Sequence, residues 1–269
     1  MNKNKIFDCI TFYDENLITN ARIEILNNYV DYFIICESKY DHKGNKKEIN
    51  FNLKNKNYEK KVRHLIIDKN FPDVSNGWKV EEFQREYILN GLKDASDNDI
   101  ILYSDSDEIP NPIKISNLEL NKKYVIFMQK FFVYKLNVFN KHESPWEGTR
   151  ACKKKDLKSV NFLRKKILKR NLNKPFWKFN LEKNIQIIND GGWHFNNLYT
   201  PDKISKKLKT FQHHEFGSKE FSSVDSIKTK IENLEDLFGR NHKYQKVIIN
   251  KEYPEYILNN LDLFKEHIL

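Results

Sequence analysis

The chain has 269 residues, 39% of them hydrophobic, and a formal charge of +10 from 47 Lys and Arg against 37 Asp and Glu. That is enough apolar material for one large α/β domain or two small ones, which excludes a disordered or fibrous chain. The charge favours anionic partners such as nucleotides, nucleic acid or acidic lipid, without choosing among them.

The three cysteines, Cys9, Cys36 and Cys152, have no CxxC spacing. They read as small buried hydrophobes in a reducing compartment, which excludes a disulfide framework and a zinc site. The opening MNKNKIFDCITFY is broken by Asp8 and fits neither a signal peptide nor a membrane span. No segment elsewhere approaches the roughly eighteen apolar residues a span requires.

The first 110 residues alternate between two periodicities. Lys5 to Phe12 reads as a strand, and Asp14 is placed to cap a helix in which Ile18, Ala21, Ile25 and Tyr29 share a face. Tyr32 to Cys36 is a continuous apolar run ending at Glu37, as in a strand covered on both faces. His64 to Ile67 is a third strand. Gly77 to Ala95 reads as a helix with Val80, Phe83, Tyr87, Ile88 and Leu92 inward, feeding a fourth strand, Ile100 to Tyr103, that ends in Asp105. Strands alternating with helices predict a parallel nucleotide-binding sheet.

Beyond Pro112 the pattern turns to aromatic strands, Tyr124 to Met128 and Phe131 to Leu136, followed by a polar segment with His142, Glu143, Trp146 and Arg150. Residues 153–170 carry nine basic side chains and one acidic one, with Leu157, Val160, Leu163 and Ile167 at helical spacing. Such a helix either packs its stripe on the core or lies on an anionic membrane. Asn189 to Phe195 is a glycine-opened turn into another aromatic segment, and from Pro201 the chain reads mainly helical. No internal repeat or long Pro/Gly/Ser linker divides it, so a single domain with a helical tail is expected.

The most informative stretch is Asp105-Ser106-Asp107, which leaves the fourth strand and runs into Glu108-Ile109-Pro110. Two carboxylates at a sheet's carboxyl edge offer hard oxygen ligands to a divalent metal, where open α/β folds bind ligands. Such a metal neutralises the charge on a departing diphosphate. By itself the short motif is also an acidic turn.

Its surroundings narrow the choice. Arg22, VDYFIICES at 30–38, Gly77-Trp78, Arg85, DSDEIP, GGWHF at 191–195, TPDKISKKL at 200–208 and the closing YPEYILNNLDLF occur in an order that resembles glycosyltransferase family 17, the bisecting N-acetylglucosaminyltransferases, nearly end to end. The resemblance implies a GT-A-type, Rossmann-like mixed sheet flanked by helices, with a helical C-terminal tail. Residues 1–112 would form the nucleotide-sugar-binding half, 113–200 the acceptor side and 201–269 the tail of one domain. It implies a UDP-sugar donor, UDP-N-acetylglucosamine first among them, with manganese, or else magnesium, as the metal. Transfer would invert the anomeric centre and leave a β-linkage.

The same resemblance assigns roles. Asp107 would ligate the metal directly, Asp105 would reach a metal-bound water or the ribose, and His194 would complete the shell. Lys207, with Lys206 as its competitor, would hold the diphosphate. Glu37 would meet the uracil and ribose. Arg22 and Arg85 would either contact the donor or pair with an acid such as Glu37 or Asp105. An inverting transfer needs a carboxylate base. Glu147, in SPWEGTR, is the first candidate, with Glu143 and Asp190 competing, and Trp146 is suited to stack on an acceptor sugar.

Eukaryotic members carry an N-terminal membrane anchor, and this sequence shows none. A cytoplasmic bacterial or viral form is therefore expected, peripheral at the inner face of the membrane through 153–170. Its acceptor would be a lipid-linked or other surface-glycan intermediate rather than an N-glycan core. A haloacid-dehalogenase phosphatase would carry DxD on its first strand. A nucleotidyltransferase would show a glycine-rich basic loop near its start. The non-enzymatic rival is a basic module for nucleic acid or anionic surfaces, marked by steeply salt-dependent binding, and nucleic acid is not the expected partner.

Overall fold

The computed structural model describes residues 4–210 and 222–269. Strand β1 (Ile6–Phe12) leads to helix α1 (Asn16–Leu26), then β2 (Tyr32–Ser38) and β3 (Val62–Ile67). Helix α2 (Gly77–Tyr87) precedes β4 (Ile100–Asp105), β5 (Glu108–Pro110) and the short α3 (Pro112–Ser116). Next come β6 (Tyr124–Val133), β7 (Val138–Phe139), β8 (Trp146–Lys153), α4 (Val160–Lys166), β9 (Ile185–Ile188) and β10 (Gly192–Asn196). The tail holds α5 (Pro201–Thr210), α6 (Val224–Glu232), β11 (Gln245–Lys246) and α7 (Glu255–Asn259). Residues 211–221 of the expected helical tail lie outside the described residues.

The strands make one mixed sheet in the order β11-β7-β6-β8-β4-β1-β2-β3. β3, β2, β1 and β4 run parallel, as the alternating first half predicts, so the carboxyl ends of β1, β2 and β4 share one edge. Period-2 alternation along β1 sends Ile10 and Phe12 to a core shared with α1, and Phe7 and Cys9 to a core shared with α2 and α4. Each fully buried Ile or Phe contributes about 1.5–3 kcal/mol of burial. A third cluster packs Phe131, Val133 and Val138 under Ile204, Ile227 and Ile231 of the tail. All three cysteines are buried and unpaired.

Four local expectations change. The two aromatic strands are one, β6, with a bulge between Ile126 and Met128. Gln129, a polar interruption in the sequence, stays in the strand because its buried amide donates to Thr149 Oγ1 at 3.1 Å. The helix from Gly77 ends at Tyr87 and tightens into a 3₁₀ turn over Ile88–Leu92, where Asn90 and Gly91 are weak helix formers. Asp14 does not cap α1. It pairs with Lys203 at 3.1 Å, and Glu15 occupies the capping position without a side-chain cap bond.

The fourth change concerns 153–170, which forms no continuous helix. It finishes β8, makes a 3₁₀ turn over Lys154–Asp156, forms α4 and begins a second turn at Lys169. Val160, Leu163 and Ile167 are buried in the core, and Leu157 packs against it. No apolar stripe is left there for a membrane. No helix among the described residues is long and apolar enough to cross one.

Candidate active site

The acidic turn is held on both sides. β4 delivers Asp105 opposite Thr11 of β1. Three residues later β5 begins and pairs antiparallel with β10, which puts Glu108 opposite His194. The carbonyl of Asp107 accepts from the Phe195 amide at 2.8 Å, tying the turn to the far strand. Gly192 makes that junction feasible. Its φ of +132° is one that side-chain-bearing residues rarely adopt, and a Cβ there would lie 2.1 Å from the Ile109 carbonyl.

Asp107 and His194 meet directly, Oδ1 to Nε2, at 3.3 Å. The imidazole lies flat on Phe131, with ring centres 4.3 Å apart and planes 5° from parallel, and Trp146 flanks it at 5.1 Å. Packing therefore aims Nε2 at the carboxylate, while the buried Nδ1 has no hydrogen-bond partner among the described residues. Burial opposes a charge on Asp107, but His194 and then Lys207 outweigh it and lower its pKa. Burial likewise disfavours imidazolium, and Asp107, Glu108 and Asp105 override it to raise His194.

Asp105 is committed elsewhere. Its Oδ2 forms a close ion pair with Arg164 Nη2, and Tyr103 OH donates to Oδ1 at 3.4 Å. Burial pushes this carboxyl up, but Arg164 and then Arg85 pull it down to about 2. Arg164 also reaches Glu108, Nη2 to Oε1 at 2.9 Å and Nη1 to Oε2 at 3.3 Å. Trp146 Nε1 donates to Glu108 Oε1 at 2.7 Å. Glu108 is thus a fully buried junction binding the acidic turn, α4 and the aromatic wall.

These groups open onto a cavity of about 370 Å³ at the carboxyl edge of the parallel strands. Of the residues expected in a site, Arg85, Asp105, Asp107, Trp146, His194 and Lys207 line it. Arg85 also pairs with Glu81. Lys207 Nζ lies 5.1 Å from the Tyr199 ring centre, whereas Lys206 is an exposed neighbour that does not line the cavity.

The remaining expected residues lie outside this cavity. Arg22 is buried and gives Nε and Nη2 to Asp8, with Nη2 also donating to Ser104 Oγ at 2.8 Å and Nη1 to the Glu108 carbonyl. It makes an ion pair, with an acid other than the two proposed. Glu37 is fully buried, accepting from Lys47 Nζ at 2.8 Å and from the Asn50 and Phe51 amides at 2.7 and 3.0 Å. These bonds tie 47–51 to the end of β2, and His64 Nε2 lies 3.1 Å from its Oε2.

The three base candidates are also displaced. Glu147 and Glu143 face a separate open cleft, and Glu147 accepts from the Lys169 amide at 3.0 Å. Glu143 binds Asn140 Nδ2 at 2.8 Å, and Asp190 is exposed on the turn before β10. Besides Asp105 and Asp107, two carboxylates line the cavity: Glu81, which is paired with Arg85, and Glu15. Glu15 lines both this space and a chamber of about 260 Å³ beyond Asp107, and its Oε2 accepts from the Tyr13 and Asp14 amides at 2.9 and 3.1 Å.

The expected three-ligand metal set is not assembled. Among the described residues no three His, Cys, Asp or Glu side chains converge to hold an ion, because Arg164 occupies Asp105. Asp107 and His194 do fit one jointly. A carboxylate oxygen and an imidazole nitrogen suit manganese or magnesium when phosphate oxygens and water supply the other positions. Sequence reading passed over Arg164, Glu108 and Glu15. The available signal for Arg164 was its place on an otherwise apolar stripe, four residues after Val160 and one after Leu163.

Curated relatives include β-1,4-mannosyl-glycoprotein 4-β-N-acetylglucosaminyltransferase of Rattus norvegicus, 22% identical over 293 residues, and of Homo sapiens, 23% identical over 292. Each alignment covers 97% of this chain and 54% of the relative, so the chain spans about half the length of those proteins. Among solved structures, glucosyl-3-phosphoglycerate synthase from Mycobacterium tuberculosis, in complex with Mn²⁺, UDP and phosphoglyceric acid, overlays with a TM-score of 0.38 at 13% identity. That overlay covers 95% of this chain and 91% of the other, a likeness too loose to transfer chemistry. The family model for glycosyltransferase family 17 matches residues 1–253, nearly the whole chain and the entire site just described, and the protein belongs to that family.

Proposed function

We propose that this chain is a metal-dependent, inverting glycosyltransferase moving N-acetylglucosamine from UDP-N-acetylglucosamine to a glycan hydroxyl, with formation of a β-linkage. One observation carries the reading: Asp107, His194, Lys207 and Arg85 converge on one cavity at the carboxyl edge of a parallel sheet. Open α/β sheets take nucleotides at such an edge. The donor sugar follows from the name shared by the curated relatives.

A divalent ion, manganese or else magnesium, held by Asp107 and His194 would neutralise charge on the departing diphosphate. Lys207 and Arg85 add fixed positive charge to the same cavity, where low dielectric strengthens it. Arg164 keeps Asp105 ionised and immobile, which sets the turn that aims Asp107. Trp146 and Phe131 hold the imidazole in place and close off water on that side.

The acceptor oxygen bonds to the anomeric carbon as the bond to the diphosphate breaks, and its proton passes to a carboxylate. Glu15 is that base in this reading, because it lines the cavity without an arginine partner, whereas Glu81 is paired with Arg85 and Glu147 faces the neighbouring cleft. The acceptor is a glycan or lipid-linked glycan.

Titration calorimetry with UDP and MnCl₂ tests the site. Binding that EDTA abolishes, and that Asp107→Asn weakens by about 1.4 kcal/mol or more, a factor of ten, is the expected outcome. Equal affinity with and without metal would remove the ion from the proposal. Affinity falling steeply with salt while unaffected by Asp107→Asn would favour the anionic-surface binding module instead.

A further inference from the structure

We propose that the loop 172–180 is a membrane-interface anchor that seats the protein on anionic lipid. Residues 172–180 are exposed without a break, and among them Phe176, Trp177 and Phe179 show 79%, 61% and 87% of their surface. Leu172 adds a fourth apolar side chain at 38%. Isolated exposed hydrophobics are ordinary, but three aromatics within four residues form a patch that costs free energy in water.

The loop is built to hold these rings outward. The Lys178 amide donates to the Pro175 carbonyl at 3.1 Å and the Leu181 amide to the Lys178 carbonyl at 3.2 Å, which makes two successive turns. At its base the buried Asn171 side chain donates to the Lys166 and Glu182 carbonyls at 2.8 and 3.1 Å, stapling both ends of the loop to the body. Lys183 Nζ closes on the Pro175 carbonyl. Phe176 and Trp177 meet edge to face at 5.2 Å between ring centres.

Charge selects the partner. Between 166 and 183 the sequence carries six Lys and Arg against one acid, Glu182, whose side chain is turned back onto the Lys183 and Asn184 amides. Aromatic side chains surrounded by lysines match the two layers of a bilayer surface: rings at the headgroup level, cations at anionic headgroups. Leu168 and Arg170, at the foot of the loop, line the open cleft that Trp146 separates from the donor cavity. Docking here would therefore bring that cleft to the lipid surface.

Vesicle co-sedimentation tests the anchor without using donor or acceptor, so it stands or falls apart from the catalytic reading. The wild type should partition about tenfold more strongly onto phosphatidylcholine vesicles holding about one-third phosphatidylglycerol than onto phosphatidylcholine alone. The combined Phe176→Ser, Trp177→Ser and Phe179→Ser variant should lose about tenfold of that binding while its thermal unfolding is unchanged, since these rings add little to the core. Trp177 emission should shift to shorter wavelength on binding, and Trp177→Ser should remove the shift. Equal binding by the triple variant, or no binding by the wild type, overturns the proposal. So does a dimer in sedimentation velocity that the triple variant dissolves, because a second copy would then cover the patch.

Discussion

Arg164 Nη2 lies 2.9 Å from Glu108 Oε1, and both side chains are buried. The same nitrogen grips Asp105, so one guanidinium from α4 neutralises both acids that bracket Asp107. Removing it strands the fully buried Glu108 in a low-dielectric interior and takes the ion pair from the partly exposed Asp105. Arg164→Met should therefore destabilise the fold by about 3–5 kcal/mol in urea unfolding, because breaking a buried pair leaves uncompensated charge. Metal-dependent UDP binding should fall as well. Unchanged stability would mean that water reaches these acids.

The proton acceptor is separable from the donor site. Glu15→Gln should leave calorimetric UDP binding within about twofold of wild type while lowering transfer by about 10²–10⁴-fold, the usual contribution of a positioned base. Glu147→Gln should retain transfer, since that carboxylate faces the neighbouring cleft. The opposite pattern would return the role to Glu147.

Gly192 sets the position of His194. Gly192→Ala forces a left-handed φ on alanine and drives its Cβ against the Ile109 carbonyl. A loss clearly exceeding about 1 kcal/mol is expected, larger than a Gly-to-Ala entropy gain can offset. Thermal unfolding measures it, and weaker UDP binding in the same variant would register displacement of the imidazole.

Asp236 supplies an acid-sensitive point far along the chain from the acidic turn. Burial raises its pKa, but hydrogen bonds from Arg240 and from Tyr244 OH at 2.8 Å bring it down to about 2 from an ordinary 3.8. A folded-state pKa below the unfolded value stabilises at pH above the unfolded one. That contribution, about 2 kcal/mol here, is lost as pH falls from about 4 toward 2. The stability gap between wild type and Asp236→Asn, read from urea unfolding at stepped pH, should narrow over that range. A constant gap would show that the carboxylate is not specially held.

The parallel half of the sheet was legible because β1, β2 and β4 are covered on both faces and read as nearly continuous apolar runs, with Asp105 at the end of the fourth strand. Asp107, His194, Arg85 and Lys207 could be picked out because DSDEIP, GGWHF and TPDKISKKL keep a family order. The roles of Arg22 and Glu37 were not legible. A lone charge on an apolar face marks burial, but its partner sits on another strand, and only packing showed Asp8 for one and the 47–51 segment for the other.

The basic stretch 153–170 is the clearest division between the two kinds of information. Its composition determined that apolar and cationic residues alternate at helical spacing. Whether the stripe meets lipid or core depends on which surface arrives opposite it, a long-range matter. Folding buries Val160, Leu163 and Ile167, turns Arg164 onto the acidic site, and leaves the apolar exposure to Phe176, Trp177 and Phe179 instead. Periodicity specifies the face that must be covered, and tertiary packing specifies what covers it.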